Sequence, residues 1–249
     1  MKSTGLLFLM FVVLFGMSCK QPKAPVPTPS NPTGNVIINF KNQAGGVDIV
    51  QGQLSYTNAS GNKYSVDLLK YYISNVILVK DDGTEFKLNN YDLINAFDAK
   101  YSNVLASDVP NGHYYSMKFL LGIDSAHNHT EAQGGDLDPS NNMSWSWNTG
   151  YIFFKHEGTY KNAADSNKVL QFHLGTDIAL SKIQIPISLI VAGNNKTMNI
   201  IFDLNKMYDS PVINFNTDDI HMSTSAADST WIRNMVTNTQ NAFIFKNVE

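Results

Sequence analysis

The chain has 249 residues, 18 lysines and arginines against 21 aspartates and glutamates, and a formal net charge of −3. No Lys/Arg cluster interleaves with the aromatics, which argues against nucleic acid and against a polybasic membrane surface. Cys19 is the only cysteine, so an internal disulfide is excluded, and with Cys19 taken up by a lipid, as read below, no thiolate remains for a blue-copper centre.

The N-terminus reads as a targeting segment. Lys2 supplies the positive start, and the apolar stretch Leu6–Met17 is too short to span a bilayer. It runs into Ser18-Cys19-Lys20. A sole cysteine there looks like a bacterial lipoprotein acceptor, with residues 1–18 as signal peptide and Cys19 lipidated. Residues 21–34 read Q-P-K-A-P-V-P-T-P-S-N-P-T-G, a proline density that gives an extended tether without a core. The expected location is the outer membrane, on its periplasmic or cell-surface side. Residues 35–249 remain for one large β domain.

Along that domain, Val36, Ile38 and Phe40 alternate as in a strand. Gly45-Gly46 opens a turn before Val47–Tyr56, where strand character is moderate. Val66–Tyr72 fits a helical turn or a strand. Asn75–Lys80 and Glu85–Leu88 flank Asp81-Asp82-Gly83, a strong hairpin signal. Asn111-Gly112 opens the best alternation, with His113, Tyr115, Met117, Phe119 and Leu121 on one face. Tyr151–Glu157, Val169–Leu174, Ile183–Leu189 and Met198–Phe202 are further strands, and Asp203–Tyr208 is a short helical turn. The best helix begins at Asp228 or Ser229 as cap and carries Trp231, Met235 and Asn238 on one face. Ala242–Phe245 returns to strand. The predicted fold is mainly β, an antiparallel β-sandwich-like single domain with a short C-terminal helix.

Four features carry the chemistry: His127-Asn128-His129, the loop Gly134–Pro139, Met143-Ser144-Trp145-Ser146-Trp147, and Phe172-His173-Leu174-Gly175. Imidazole suits copper, zinc and iron, and a methionine thioether favours Cu(I). On a loop this rich in Asn and Gly, either His127 or His129 can turn inward. His113 and His156 fall in strands, and His221 lies near a turn. Asp136 and Asp138 read as loop caps or as hard oxygen ligands for calcium, although the spacing does not continue as an EF-hand. Trp145 and Trp147, two apart, line a core or, with Tyr151, form a platform facing a glycan. There is no G-x-S-x-G and no H-E-x-x-H, and nothing places Asp136 and Glu157 as a carboxylate pair, so no enzyme is expected.

One longer pattern joins these pieces. Asn128-His129, Asp136-Leu137-Asp138, Met143, Trp145, Trp147, Gly150-Tyr151, Phe153 and Phe172-His173-Leu174-Gly175 resemble the copper-binding MbnP-like family, named for a methanobactin-associated periplasmic protein. Leu69–Asn75, Asp203–Lys206 and Ile220-His221 extend the similarity over nearly everything after residue 35. The resemblance implies an extracytoplasmic β domain that binds copper for storage, scavenging or handover. It implies a dihaem MauG-like oxidase as partner, which turns a tryptophan into kynurenine near the copper, Trp145 before Trp147. His129 and His173 match motif histidines, and His221 matches a late one. Many relatives carry a histidine after the first strand's F-x-x, where this chain has Phe40-Lys41-Asn42. The alternative is a metal-free glycan- or protein-recognition module built on the Trp/Tyr cluster.

Overall fold

Every second side chain of the first strand is buried, as its alternation requires: β1 (Thr33–Ala44) turns Val36, Ile38 and Phe40 inward. The structure is a computed structural model that describes residues 32–130, 133–145, 150–223 and 226–249. The signal peptide, Cys19, most of the tether and Trp147 lie outside the described residues.

After β1 come β2 (Val47–Asp48), β3 (Tyr56–Thr57), β4 (Lys63–Tyr64), β5 (Leu68–Lys80), β6 (Glu85–Lys87), β7 (Tyr91–Asn95) and β8 (Asn103–Pro110). The second half holds β9 (Gly112–Leu121), β10 (Ile152–Lys161), β11 (Asn167–Gly175), β12 (Ser181–Val191), β13 (Lys196–Asp203), β14 (Ile220–His221) and β15 (Phe243–Val248). The α-helices among the described residues are α1 (Ser125–Asn128) and α2 (Ser229–Thr239), with short 3-10 turns between strands. The structure is therefore mainly β, with the C-terminal helix where the sequence pattern puts it.

Two curled sheets pack in a sandwich-like arrangement. The smaller has the order β15-β13-β1-β2, with β8 also on β1; the larger runs β12-β9-β5-β10-β11-β14, with β6 and β7 on β5. Most pairings are antiparallel, as expected, but β1 pairs with β13 and β11 with β14 in parallel. A parallel pair cannot be closed by a tight turn. The chain between β1 and β13 supplies the crossover by building most of the larger sheet.

The core lies between the sheets. Phe40, Phe202 and Phe243 of the smaller sheet meet Tyr71, Phe119 and Phe154 of the larger. Phe119 and Phe243 are 5.1 Å apart and Tyr71 and Phe202 4.7 Å apart between ring centroids. Each such buried ring contributes roughly 1.5–3 kcal/mol.

One open alternative is resolved and two local expectations are corrected. Val66–Tyr72 is not helical; it enters β5, the strand that pairs with both β9 and β10. Val47–Tyr56 is strand only at its two ends, with turns between. In β9, Met117, Phe119 and Leu121 are buried, but Tyr115 is exposed and Tyr114 is buried in its place. The pairing of β9 with β5 slips between Ser116 and Tyr114, and such a bulge moves the residues beyond it to the other face.

A second aromatic cluster fills the far end of the interior around His156 of β10. Its Nδ1 is 2.6 Å from the Tyr208 hydroxyl and its Nε2 is 3.2 Å from the Ser65 carbonyl. The ring stacks on Tyr208 and meets Tyr64 edge-on. Burial pushes its pKa from the ordinary 6.5 down to about 4. A folded-state pKa below the unfolded one gives stability that is complete above pH 6.5 and is lost as pH falls through 4. The expected loss is on the order of 3 kcal/mol. Urea unfolding between pH 7 and pH 4 should show this slope, and His156→Gln should flatten it.

Candidate functional site

On the outer face of the larger sheet, β5, β10 and β11 run side by side. Lys155 of β10 stands between Lys70 of β5 and His173 of β11. Glu157 is two residues along the same strand and so on the same face. This face would be open to water, but residues 124–130 and 133–145 fold across it. The Tyr72 hydroxyl donates to the Asp136 carbonyl (2.9 Å) and the Tyr151 hydroxyl to the Leu137 carbonyl (3.0 Å). Lys70 Nζ donates to the Asn141 carbonyl (3.0 Å) and Lys155 Nζ to the Asn142 carbonyl (3.3 Å). The Tyr151 amide donates to Asn128 Oδ1 (2.8 Å). Under this cover Leu137, Met143, Trp145, Tyr151 and His173 are all buried.

Trp145 seats on Gly175. A Cβ at residue 175 would stand 2.2 Å from Trp145 Cη2 and 2.6 Å from the Tyr151 carbonyl oxygen, so only glycine fits. Gly175 and His173 are two apart on β11 and share a face, so the indole covers the strand end on the His173 side. Among the described residues its buried Nε1 has no hydrogen-bond partner, nor has the hydroxyl of Thr176. Thr176 also has φ +71°, in the left-handed region. Two of the four orphaned buried polar atoms among the described residues, together with a strained residue, gather around this one glycine, which makes the strand end the candidate site.

The histidines differ in which ring nitrogens are engaged. His173 Nε2 is 2.7 Å from Glu157 Oε1, an oxygen that Lys155 Nζ approaches to 3.4 Å. His129 Nε2 is 3.0 Å from each Asp177 oxygen; Asp177 also accepts from Ser125 Oγ (2.7 Å) and Asn128 Nδ2 (2.9 Å). His127 uses Nδ1, 2.6 Å from the Tyr91 hydroxyl and 3.1 Å from Asp124 Oδ1. Each of these three rings keeps one nitrogen free of side-chain bonds among the described residues. A ring backed by a carboxylate on one nitrogen is the usual arrangement of a metal-ligating histidine.

His221 is different. Nδ1 faces Asp228 (2.8 Å) and Nε2 faces Asp218 (3.3 Å), so both nitrogens are occupied. Its ring stacks on Trp231 at 4.5 Å and 12°, and it pairs across the sheet with Phe172. Phe172 and His173 are consecutive and point to opposite faces. The sheet thus separates His221 from His173, and the fold does not bring the two together. Among the described residues, no group of three or more His, Cys, Asp or Glu side chains stands ready to hold a metal ion. His129 and His173 do lie toward the same end of β11, one through Asp177 beyond Gly175 and the other just before it.

The electrostatics follow from partial burial. Burial works to raise the Glu157 carboxyl, but the His173 hydrogen bond and the Lys155 charge outweigh it and hold the pKa below the usual range. Burial, opposed by the bond to Glu157, pushes the His173 imidazole down. Asp177 resembles Glu157: burial raises it, and the bonds from Ser125, Asn128 and His129 bring it below the usual range.

Several sequence expectations are corrected. Calcium at Asp136 and Asp138 is not supported: Asp136 Oδ2 accepts from the Leu93 amide (2.8 Å), and Asp138 caps a 3-10 turn through the Ser140 amide (2.8 Å). Neither belongs to a group of three or more potential ligands among the described residues. A glycan platform needs exposed rings, but Trp145 is 6% and Tyr151 4% exposed. Asn42 accepts from the Tyr71 hydroxyl (2.9 Å), on the inner face opposite Lys70 and His173, so the missing histidine at this position does not bear on the Trp145 site. Spacing along the chain does not reveal Glu157 as a partner of His173, nor does it point to Asp177 and Thr176. The signal available for the last two was their place directly after Phe172-His173-Leu174-Gly175. The fold also aligns Asp81, His113 and Ser188 on the surface, at 2.6 Å and 3.5 Å. Asp81 and Ser188 are exposed and His113 is half-buried, and the second contact is at the outer limit of a hydrogen bond.

With this geometry in place, the comparisons fall on the same part of the chain. Residues 33–226 match the family model MbnP, and the chain belongs to the MbnP family. A solved structure, MbnP from Methylosinus trichosporium, is similar over 70% of this chain and 76% of that chain, at 16% identity and a TM-score of 0.44. That likeness is too remote to transfer residue roles. No curated protein matches.

The seating of Trp145 yields a test. Gly175→Ala should force the indole off the strand end and cost about 1–3 kcal/mol of stability. The near-ultraviolet circular dichroism of the tryptophans should change with it. An unchanged spectrum and an unchanged urea midpoint would contradict the contact.

Proposed function

We propose that this protein is an extracytoplasmic copper-binding lipoprotein that stores, scavenges or hands over the metal without catalytic turnover. One observation carries the reading for this member of the MbnP family. The buried indole of Trp145, with its nitrogen unpartnered, covers the His173 face of β11, and His129 is held at Asp177 just beyond. The residues suit copper. Imidazole nitrogens and the thioether of the buried Met143 are the ligand types that Cu(I) selects. The carboxylates behind His129 and His173 fix their rings, and burial of His173 favours the neutral imidazole that ligation requires. His127 is a further candidate ligand from the same loop.

In this reading a dihaem MauG-like oxidase is the partner that modifies Trp145, with Trp147 the second choice. The indole lies under its own loop, so such a partner would draw electrons through the protein rather than touch the ring. Loss of four electrons to the oxidase, with water as the oxygen source and hydrolysis releasing the indole C2 as formate, turns the side chain into kynurenine and adds about 4 Da. Peptide mapping of protein from its natural host checks this: an unmodified Trp145, with copper binding unchanged by Trp145→Phe, would remove the tryptophan from the site.

Copper binding itself is tested by Cu(I) titration against a competing chelator. His173→Ala and His129→Ala should each weaken binding by about tenfold or more. His221→Ala should leave affinity nearly unchanged, because that ring lies on the other face of the sheet with both nitrogens occupied. Strong loss with His221→Ala alone would place the metal elsewhere. For location, we expect cleavage before Cys19 and lipidation of that residue. Cys19→Ala should then move the protein from the membrane fraction to the soluble one, and a variant that stays fully membrane-bound would refute the anchor.

A further inference from the structure

We propose that Glu157 is the positioning residue of this site: its carboxylate takes the Nε2 proton of His173 in a hydrogen bond, so that Nδ1 is the nitrogen offered to the metal. The inference rests on the copper reading above and adds to it the tautomer and the residue that selects it.

The geometry is specific. Glu157 Oε1 is 2.7 Å from His173 Nε2, the short distance of a charge-assisted bond. An ionised carboxylate can only accept. A neutral imidazole bonded to it at Nε2 must carry its single proton there, and its lone pair is then on Nδ1. No side chain among the described residues bonds Nδ1 of His173.

The carboxylate is itself held in place. Lys155 stands directly across from His173, reaches 3.4 Å to Glu157 Oε1 and donates to the Asn142 carbonyl of the covering loop. Glu157 lies opposite Gln171 in the ladder, so it meets His173 along the diagonal between adjacent strands. The loop that carries Met143 and Trp145 is thus tied through Lys155 to the group that sets the histidine's tautomer. His129 has the same arrangement, with Nε2 on Asp177 and Nδ1 left open.

A bond that merely joined β10 to β11 would have the same length, so the test needs a readout that strand pairing does not move. The tautomer of His173 is read by long-range ¹H–¹⁵N correlation on the metal-free full chain at pH 7.5, assigned by loss of the signals in His173→Gln. Cu(I) affinity and urea stability are measured on the same samples. The wild type should show the Nε2–H tautomer. Glu157→Gln keeps an accepting oxygen and should keep both the tautomer and the affinity within about threefold. Glu157→Ala should give mixed tautomers and about tenfold or greater loss of Cu(I) affinity.

An Nδ1–H tautomer in the wild type would overturn the proposal. So would Glu157→Ala with unchanged tautomer and affinity, or Glu157→Gln and Glu157→Ala losing affinity only in proportion to stability. If the wild type binds no Cu(I), the copper reading falls and this proposal with it. If the wild type binds and Glu157→Ala binds equally well, only the role of Glu157 falls.

Discussion

A polar sheet face that is covered by its own chain must have its polar groups paired, and the arrangement around Trp145 follows from that constraint. The covering segment, described at residues 124–130 and 133–145, lies across β5, β10 and β11, whose outward residues there include Lys70, Tyr72, Lys155, Glu157 and His173. Burying such groups unpaired costs roughly 1–3 kcal/mol each, and more for charges. The segment therefore presents carbonyls where the sheet presents donors: Asp136 to Tyr72, Leu137 to Tyr151, Asn141 to Lys70 and Asn142 to Lys155. Glu157 and His173 satisfy one another beneath it. Against this background of pairing, Trp145 Nε1 and the Thr176 hydroxyl have no partner among the described residues.

Two buried histidines on neighbouring strands show how environment divides structure from function. His156 faces the interior, with a hydroxyl on one nitrogen and a carbonyl on the other, and burial keeps it neutral far into the acid range. It has no free nitrogen to offer. His173 faces the opposite side, has a carboxylate on one nitrogen and keeps the other open. His221, by contrast, is occupied on both nitrogens by carboxylates and clamped against Trp231. Its ring joins β14 and α2 to the larger sheet through contacts with Phe172 and Trp231.

Strain is concentrated at the same strand end. Gly175 admits the indole at a distance that no side chain permits, and Thr176 follows in a left-handed conformation. Asp177 then turns back to hold His129, Ser125 and Asn128, which fixes the start of the covering segment. The end of β11 therefore supports both the tryptophan and the loop that carries it. A change in one of these three residues acts on the whole cover and not on a single contact.

The sequence by itself determined what depends on near neighbours. Period-two burial in β1 and in most of β9, the Asp81-Asp82-Gly83 hairpin, the short turn after Asp203 and the helix after Asp228 all follow from local propensity and pattern. The aromatic and histidine motifs around Trp145 and His173 were also legible, because their spacing along the chain is itself the signal. Tertiary structure alone decided which face each residue occupies relative to distant strands. The bulge that exposes Tyr115, the parallel pairing of β1 with β13, and the diagonal that joins Glu157 to His173 depend on register between segments far apart in sequence. A one-residue slip in that register turns a side chain to the other side of the sheet. That is why His173 and His221, alike as motif residues, end on opposite faces, and why Asp177 could not be recognised as a partner of His129 before the loop was folded over the strand.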